Sequence, residues 1–148
     1  MRGLRWRALG CCALALGMGA APAPVAGQDS AELARARQTL EYYQACERTR
    51  RFGPCWGLLS RRVQAEWSRQ GRGTVDEYAA ARGAAERRFS DFRVLQIRRS
   101  PARVVFVVEA TGGTERSPVW ERVEYALLRE GGRWKVDGRR VGPSETTP

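Results

Sequence analysis

The chain has 148 residues, with 26 Lys and Arg against 16 Asp and Glu, a formal charge of +10 and no histidine. That length suits one domain, and 43% apolar content with charges of both signs excludes wholesale disorder. There is no histidine, and Cys46 and Cys55, the only cysteines beyond the first residues, cannot alone complete a zinc tetrahedron, which argues against a metal site.

Residues 1–27 read as a secretory signal. MRGLRWR is a basic start, Ala8 to Ala21 is uncharged and apolar, and Val25-Ala26-Gly27 offers small residues for cleavage before Gln28. This predicts an exported protein, periplasmic or secreted, with a mature domain at 28–142 and a disordered tail at 143–148. An uncleaved anchor over Ala8 to Gln28 and a lipid-modified Cys11 or Cys12 are the alternatives, and the Gly and Pro content argues against the anchor. Loss of Arg2, Arg5 and Arg7 leaves 26 − 3 = 23 basic against 16 acidic residues, a balance of +7. Lys135 is the only lysine. The arginines scatter with Glu between them and form no long block, which favours a solvated surface over a polyanion-binding module.

Asp29-Ser30-Ala31-Glu32 reads as a capping box that opens a helix to about Arg50. Leu33, Ala36, Leu40 and Tyr43 form its apolar stripe, and Arg35, Arg37, Glu41 and Glu47 are assigned to its wet faces. Phe52-Gly53-Pro54 should end that helix and start a second, to about Arg69, presenting Cys55, Leu58, Leu59, Val63 and Trp67. Thr74-Val75-Asp76-Glu77 is another capping box. It starts a third helix that carries Tyr78, Ala81, Ala85 and Phe89 inward. Cys46 and Cys55 flank the turn between the first two helices, and in an exported chain an even pair reads as a disulfide. The alternative is two buried thiols.

The second half reads as strands. Phe92 to Arg98 is a short one, and Ala102 to Ala110, with four valines and Phe106, is the strongest. Thr111 to Pro118 reads as a connection. A long hairpin then runs from Trp120 to Val141 around Glu130-Gly131-Gly132. Val119, Val123, Tyr125 and Leu127 share one face, which Trp134 and Val136 continue. Such short connections require antiparallel pairing. The opposite face, with Trp120, Ala126 and Leu128, is also partly apolar, and a homodimer through it competes with shielding by Arg and Glu stems. The fold class is therefore α+β, with three N-terminal helices on a curved antiparallel sheet of about four strands.

This order resembles the nuclear transport factor two-like superfamily, a cone-shaped α+β fold related to steroid isomerase-like domains. The resemblance rests on Tyr43, on Trp56-Gly57-Leu58-Leu59-Ser60, and on Tyr125-Ala126-Leu127-Leu128 followed by Gly132-Arg133-Trp134-Lys135-Val136-Asp137-Gly138. It implies a pocket between the helices and the concave sheet, and often dimers through the sheet. Members of that superfamily include isomerases, dehydratases, epoxide hydrolases and many non-catalytic binding domains, so fold does not select function.

Tyr43, Trp67, Tyr78, Phe106, Tyr125 and Trp134 carry inward parity and are candidates to line a ligand pocket, with core filling as the plainer role. Glu121 shares parity with Tyr125 and is the candidate inward carboxylate. Asp91 is the only Asp placed as a pocket acid, because Asp29 and Asp76 read as caps and Asp137 as wet. No residue set matches a catalytic motif. The leading expectation is a non-catalytic exported domain of the cell envelope or extracellular space, binding a small apolar ligand or an envelope protein, without cofactor, metal or nucleic acid. An isomerase- or dehydratase-like enzyme using Glu121 or Asp91 with Tyr125, and a cationic module on anionic envelope surfaces, are the alternatives.

Overall fold

The computed structural model describes residues 26–84, 89–114 and 117–142. Most of the expected signal segment, Ala85 and the expected tail lie outside these residues.

Helix α1 spans Ala26–Thr49. It begins ahead of the expected capping box, so Ser30 lies inside it; the Glu32 side chain pairs with Arg35 one turn on. It ends at Arg50, whose φ of 61° makes it, and not Gly53, the left-handed residue. The Arg50 side chain donates to the Gly83 carbonyl, which anchors that turn. The expected second helix is divided. A 3-10 turn covers Gly53–Leu58, and α2 runs over Arg61–Arg69. Between them Leu59 bridges to Val136, and the Ser60 amide donates to the Val136 carbonyl at 2.9 Å. Ser60 Oγ then accepts from the Val63 amide as the α2 N-cap. A serine that offers the backbone this alternative partner interrupts a helix. Helix α3, Val75–Gly83, starts at the expected capping box of Thr74 and Glu77.

The four strands are β1 Phe89–Ser100, β2 Arg103–Thr114, β3 Ser117–Glu130 and β4 Arg133–Val141. They pair antiparallel in sequence order. Phe89 begins β1 and does not belong to the third helix. The residues expected to form a connection at 111–118 mostly extend β2 and β3. Gly113, with φ 82°, lets that hairpin close where a Cβ would lie 2.2 Å from the Ser117 carbonyl oxygen. The β3–β4 turn is the expected Gly131-Gly132, with φ 57° and 77°.

One face of the sheet is covered by the helices. Val104, Phe106, Val108 and Ala110 of β2 pair with Leu127, Tyr125, Val123 and Glu121 of β3, and all eight are buried. Ala36, Leu40 and Tyr43 of α1 pack onto this surface, with Leu59, Cys55 and Tyr78 beside them. A disulfide joins Cys46 to Cys55, across a Cα separation of 6.5 Å. It ties the end of α1 to the 3-10 turn.

The β3–β4 pairing contains the irregularity that shapes the site. Ala126 faces Gly138 while Leu127 faces Val136, so Asp137 is an extra residue on β4. Such a bulge reverses side-chain parity beyond it. Trp134 and Val136 follow the covered face before the bulge, and Arg139, opposite Tyr125, follows it afterwards.

Candidate functional site

The inward phase of α1 does not stop at Tyr43. Four residues further on, the same stripe delivers Glu47, which is buried and not wet as its charge suggested. On α3, Arg82 follows Tyr78 at the same spacing. From the sheet come Tyr125 and, past the bulge, Arg139.

These side chains form one network. Arg82 Nη2 donates to Glu47 Oε1 at 2.7 Å. Arg139 Nε lies 2.8 Å from the same oxygen, but its N–H is not directed at it, so the contact is an ion pair without a hydrogen bond. The Tyr125 hydroxyl donates to Glu47 Oε2. The hydroxyls of Tyr43 and Tyr78 meet at 3.3 Å. Rings reinforce the arrangement. Tyr43 and Tyr125 pack edge to face at 6.0 Å, Trp67 and Tyr78 at 5.0 Å, and the Arg82 guanidinium lies 5.0 Å from the Phe52 ring centre.

Burial and charge set the ionisation of the cluster. Burial pushes the Tyr125 hydroxyl far above its ordinary value, and the Glu47 carboxylate adds to that. Burial does the same to Tyr78, with Tyr43 contributing. Tyr43 is also raised by burial, against a partial opposing pull from Arg82. Burial alone would lower Arg139, but Glu47 and Tyr125 reverse this and the net shift is upward. All three tyrosines are thus neutral hydrogen-bonding groups around a charged Arg–Glu–Arg triad.

A cavity of about 210 Å³ opens beside the triad. Its lining combines apolar Leu59, Val63, Trp67 and Val136 with Tyr43, Arg82 and Arg139. Larger depressions of about 520 and 490 Å³ lie elsewhere. The first, near the start of α1, holds Trp134, whose indole N–H donates to Glu32 Oε2 at 3.1 Å. The second reaches the uncovered sheet face, where Arg98, Arg103 and Arg140 surround Val105, Ala126 and Gly138, with Glu124 among them and Arg99 and Arg139 at its border. The smaller cavity is the candidate site because buried ionic groups and the core aromatics border it.

The residues singled out in the sequence are thus divided. Tyr43 and Trp67 line the cavity, and Tyr78 and Tyr125 buttress them. Phe106 is fully buried opposite Tyr125. Trp134 belongs to the other cleft. Glu121 is buried as its parity implied, but it faces Ala110, four positions along β3 from Tyr125. The carboxylate on Tyr125 is Glu47. Asp91 is exposed and pairs across to Thr111, so it is not a pocket acid. Asp137 is buried and not wet. Its Oδ1 accepts from Ser60 Oγ at 2.8 Å and from Arg62 Nε at 2.9 Å, which holds the bulge in place. Reading on from Tyr43 by one helical turn finds Glu47, and from Tyr78 finds Arg82; nothing local announces Arg139.

Elsewhere the arginines are dispersed. Arg35, Arg62, Arg69, Arg93, Arg98 and Arg129 each pair with a carboxylate, on α1, α2, β1 and β3. On the uncovered sheet face Trp120 is 45% exposed, and the pairs Arg93–Glu109 and Arg98–Glu124 lie on the same sheet. Among the described residues no group of three or more His, Cys, Asp or Glu side chains is placed to hold a metal, and no helix is long and apolar enough to cross a membrane.

No family model matches the chain, and neither a curated protein nor a solved structure matches it.

Proposed function

We propose that this chain is a non-catalytic, exported binding domain with a cone-shaped, nuclear transport factor two-like architecture. Its ligand is a small molecule with an apolar body, taken into the cavity between the helices and the sheet. The observation that carries the reading is the cavity itself, lined by apolar Leu59, Val63, Trp67 and Val136 together with Tyr43 and two arginines. Export rests on the basic, apolar and small-residue pattern of residues 1–27.

The chemistry of the site supports binding over catalysis. A general base needs a free acceptor near neutral pH. Both Glu47 oxygens already meet Arg82, Arg139 and Tyr125, and burial keeps the tyrosines protonated. Size also restricts the ligand. An apolar cavity of roughly 150 Å³ holds benzene, and drug-sized sites begin near about 300 Å³. A volume of about 210 Å³ suits one substituted ring or a short branched chain, and is too small for a fused four-ring ligand.

The test is titration of the purified protein with toluene, followed through the methyl resonances of Leu59, Val63 and Val136. Saturable shifts at these residues, lost when Val63→Phe fills the cavity, are expected. Absence of shifts up to the solubility limit of toluene refutes the reading.

A further inference from the structure

The triad beside the cavity is out of balance. Arg82 and Arg139 contribute two positive charges and Glu47 one negative charge, and the neutral tyrosines contribute none. Asp137, two residues from Arg139, is engaged by Ser60 and Arg62. The Arg139 guanidinium also hydrogen-bonds the Tyr125 hydroxyl, but two N–H groups of the cluster stay unmatched. Arg82 Nε is buried without a hydrogen-bond partner among the described residues, and Arg139 Nε makes no hydrogen bond to the oxygen it faces. A guanidinium has five N–H donors, and leaving charged donors unmatched out of water is unfavourable.

We infer that the cavity takes a small carboxylate with an apolar body. Its carboxylate lies against Arg82 and Arg139, and its body against Val63 and Trp67. This rests on the cavity reading above and adds the ligand's charge to it. A second carboxylate brings the triad to neutrality. The planar guanidinium fork matches carboxylate geometry, so the interaction is directional as well as ionic. Tyr43, in the same lining, adds a neutral hydroxyl. The volume limits the body to one ring or a short branched chain.

The test compares benzoate with its neutral isostere benzamide, titrated into the purified protein and followed through the Trp67 indole N–H resonance. Benzoate is expected to bind at least tenfold more tightly. Arg82→Gln is expected to abolish that preference. This variant leaves Arg139 and Glu47 as a balanced pair, and its fold is checked by circular dichroism. Toluene binding to the wild type tests the cavity separately from its preference for a carboxylate, without any variant. If toluene binds in the cavity while benzoate and benzamide bind equally, the carboxylate inference fails and the cavity reading stands. If toluene does not bind, the cavity reading fails and the inference with it. If benzoate binds but Arg82→Gln leaves its affinity unchanged, the anion sits elsewhere, for example in the arginine groove of the outer sheet face, and the inference is again overturned.

Discussion

Replacing Glu47 by Gln keeps the shape of the side chain and removes its charge. The Glu47 side chain is 3% exposed, and those of Arg82 and Arg139 are 20% and 18% exposed, so solvent does little to relieve the change. The two guanidinium nitrogens lie 2.7 and 2.8 Å from the same carboxylate oxygen, so they are at most 2.7 + 2.8 = 5.5 Å apart. At that distance two unit charges repel by about 3 kcal/mol for an effective dielectric of about 20. Removing one partner of a buried ionic group generally costs about 3–5 kcal/mol. Glu47→Gln is therefore expected to destabilise the fold by about 3–5 kcal/mol, a large share of the roughly 5–15 kcal/mol that holds a domain together. Urea unfolding at pH 7 with the disulfide intact measures this, provided the denaturant slope is unchanged. The triple variant Glu47→Leu, Arg82→Met, Arg139→Met removes all three charges together and is expected to lose less stability than Glu47→Gln, its residual cost being the Tyr125 hydroxyl left without its acceptor. A loss below about 1 kcal/mol in Glu47→Gln would refute the electrostatic account. A triple variant as unstable as the single would show that packing, not charge, carries the effect.

Three further predictions follow from other parts of the fold. Replacing Cys46 and Cys55 together by Ala opens a ring of ten residues and is expected to cost about 2–3 kcal/mol, read from urea midpoints with and without reductant. Tyr43, Tyr78 and Tyr125 have raised values in the folded state, so their contribution is complete below pH 10, where unfolded tyrosines are also neutral, and is lost as pH rises above it. Phenolate absorbance at 295 nm from these three should therefore appear together with unfolding, and phenolate formation in a chain that stays folded would contradict the burial argument. Asp137→Ala is expected to cost about 2 kcal/mol, mostly through the buried Ser60 bond, because Arg62 is 62% exposed and its share is screened.

How far the sequence speaks depends on which interactions are local. Thr74 and Glu77 cap α3 as their spacing implies, because both partners lie within one turn. Gly131-Gly132 makes the hairpin turn because the required positive φ is a property of those two residues alone. The inward parity of Tyr125 and Glu121 survives for a similar reason: β3 pairs with β2 without interruption. Glu47 is a different case. Its position on the stripe is legible, but its charge argues for water, and only Arg82 and Arg139, 35 and 92 residues away, make burial tolerable. The second helix divides at Ser60 because of Val136 and Asp137, on a strand remote in sequence. Arg139 depends on a bulge, and a period-two reading carried through Asp137 puts it on the wrong face. The site was thus half visible: its aromatic wall follows from periodicity, and its ionic wall follows from contacts that only the folded chain makes.

The same ionic wall can be questioned by chemical rescue. Glu47→Ala removes the carboxylate and leaves a gap bordered by Arg82, Arg139 and the Tyr125 hydroxyl. Acetate restores both the volume and the charge. A ligand that binds only the folded state stabilises it in proportion to occupancy, by about 2.7 kcal/mol at a hundred times its dissociation constant. Acetate is therefore expected to raise the unfolding midpoint of Glu47→Ala, or to refold the variant if it is unfolded alone. Acetamide, which matches its shape without its charge, should not. The wild-type arginines already hold the Glu47 carboxylate, so acetate should stabilise the wild type less than the variant, and equal rescue by acetamide would mean the gap is filled for its volume. A charge-dependent rescue that is larger in the variant than in the wild type fits a pair of guanidiniums preorganised by the bulge at Asp137 and by α3 to meet a carboxylate.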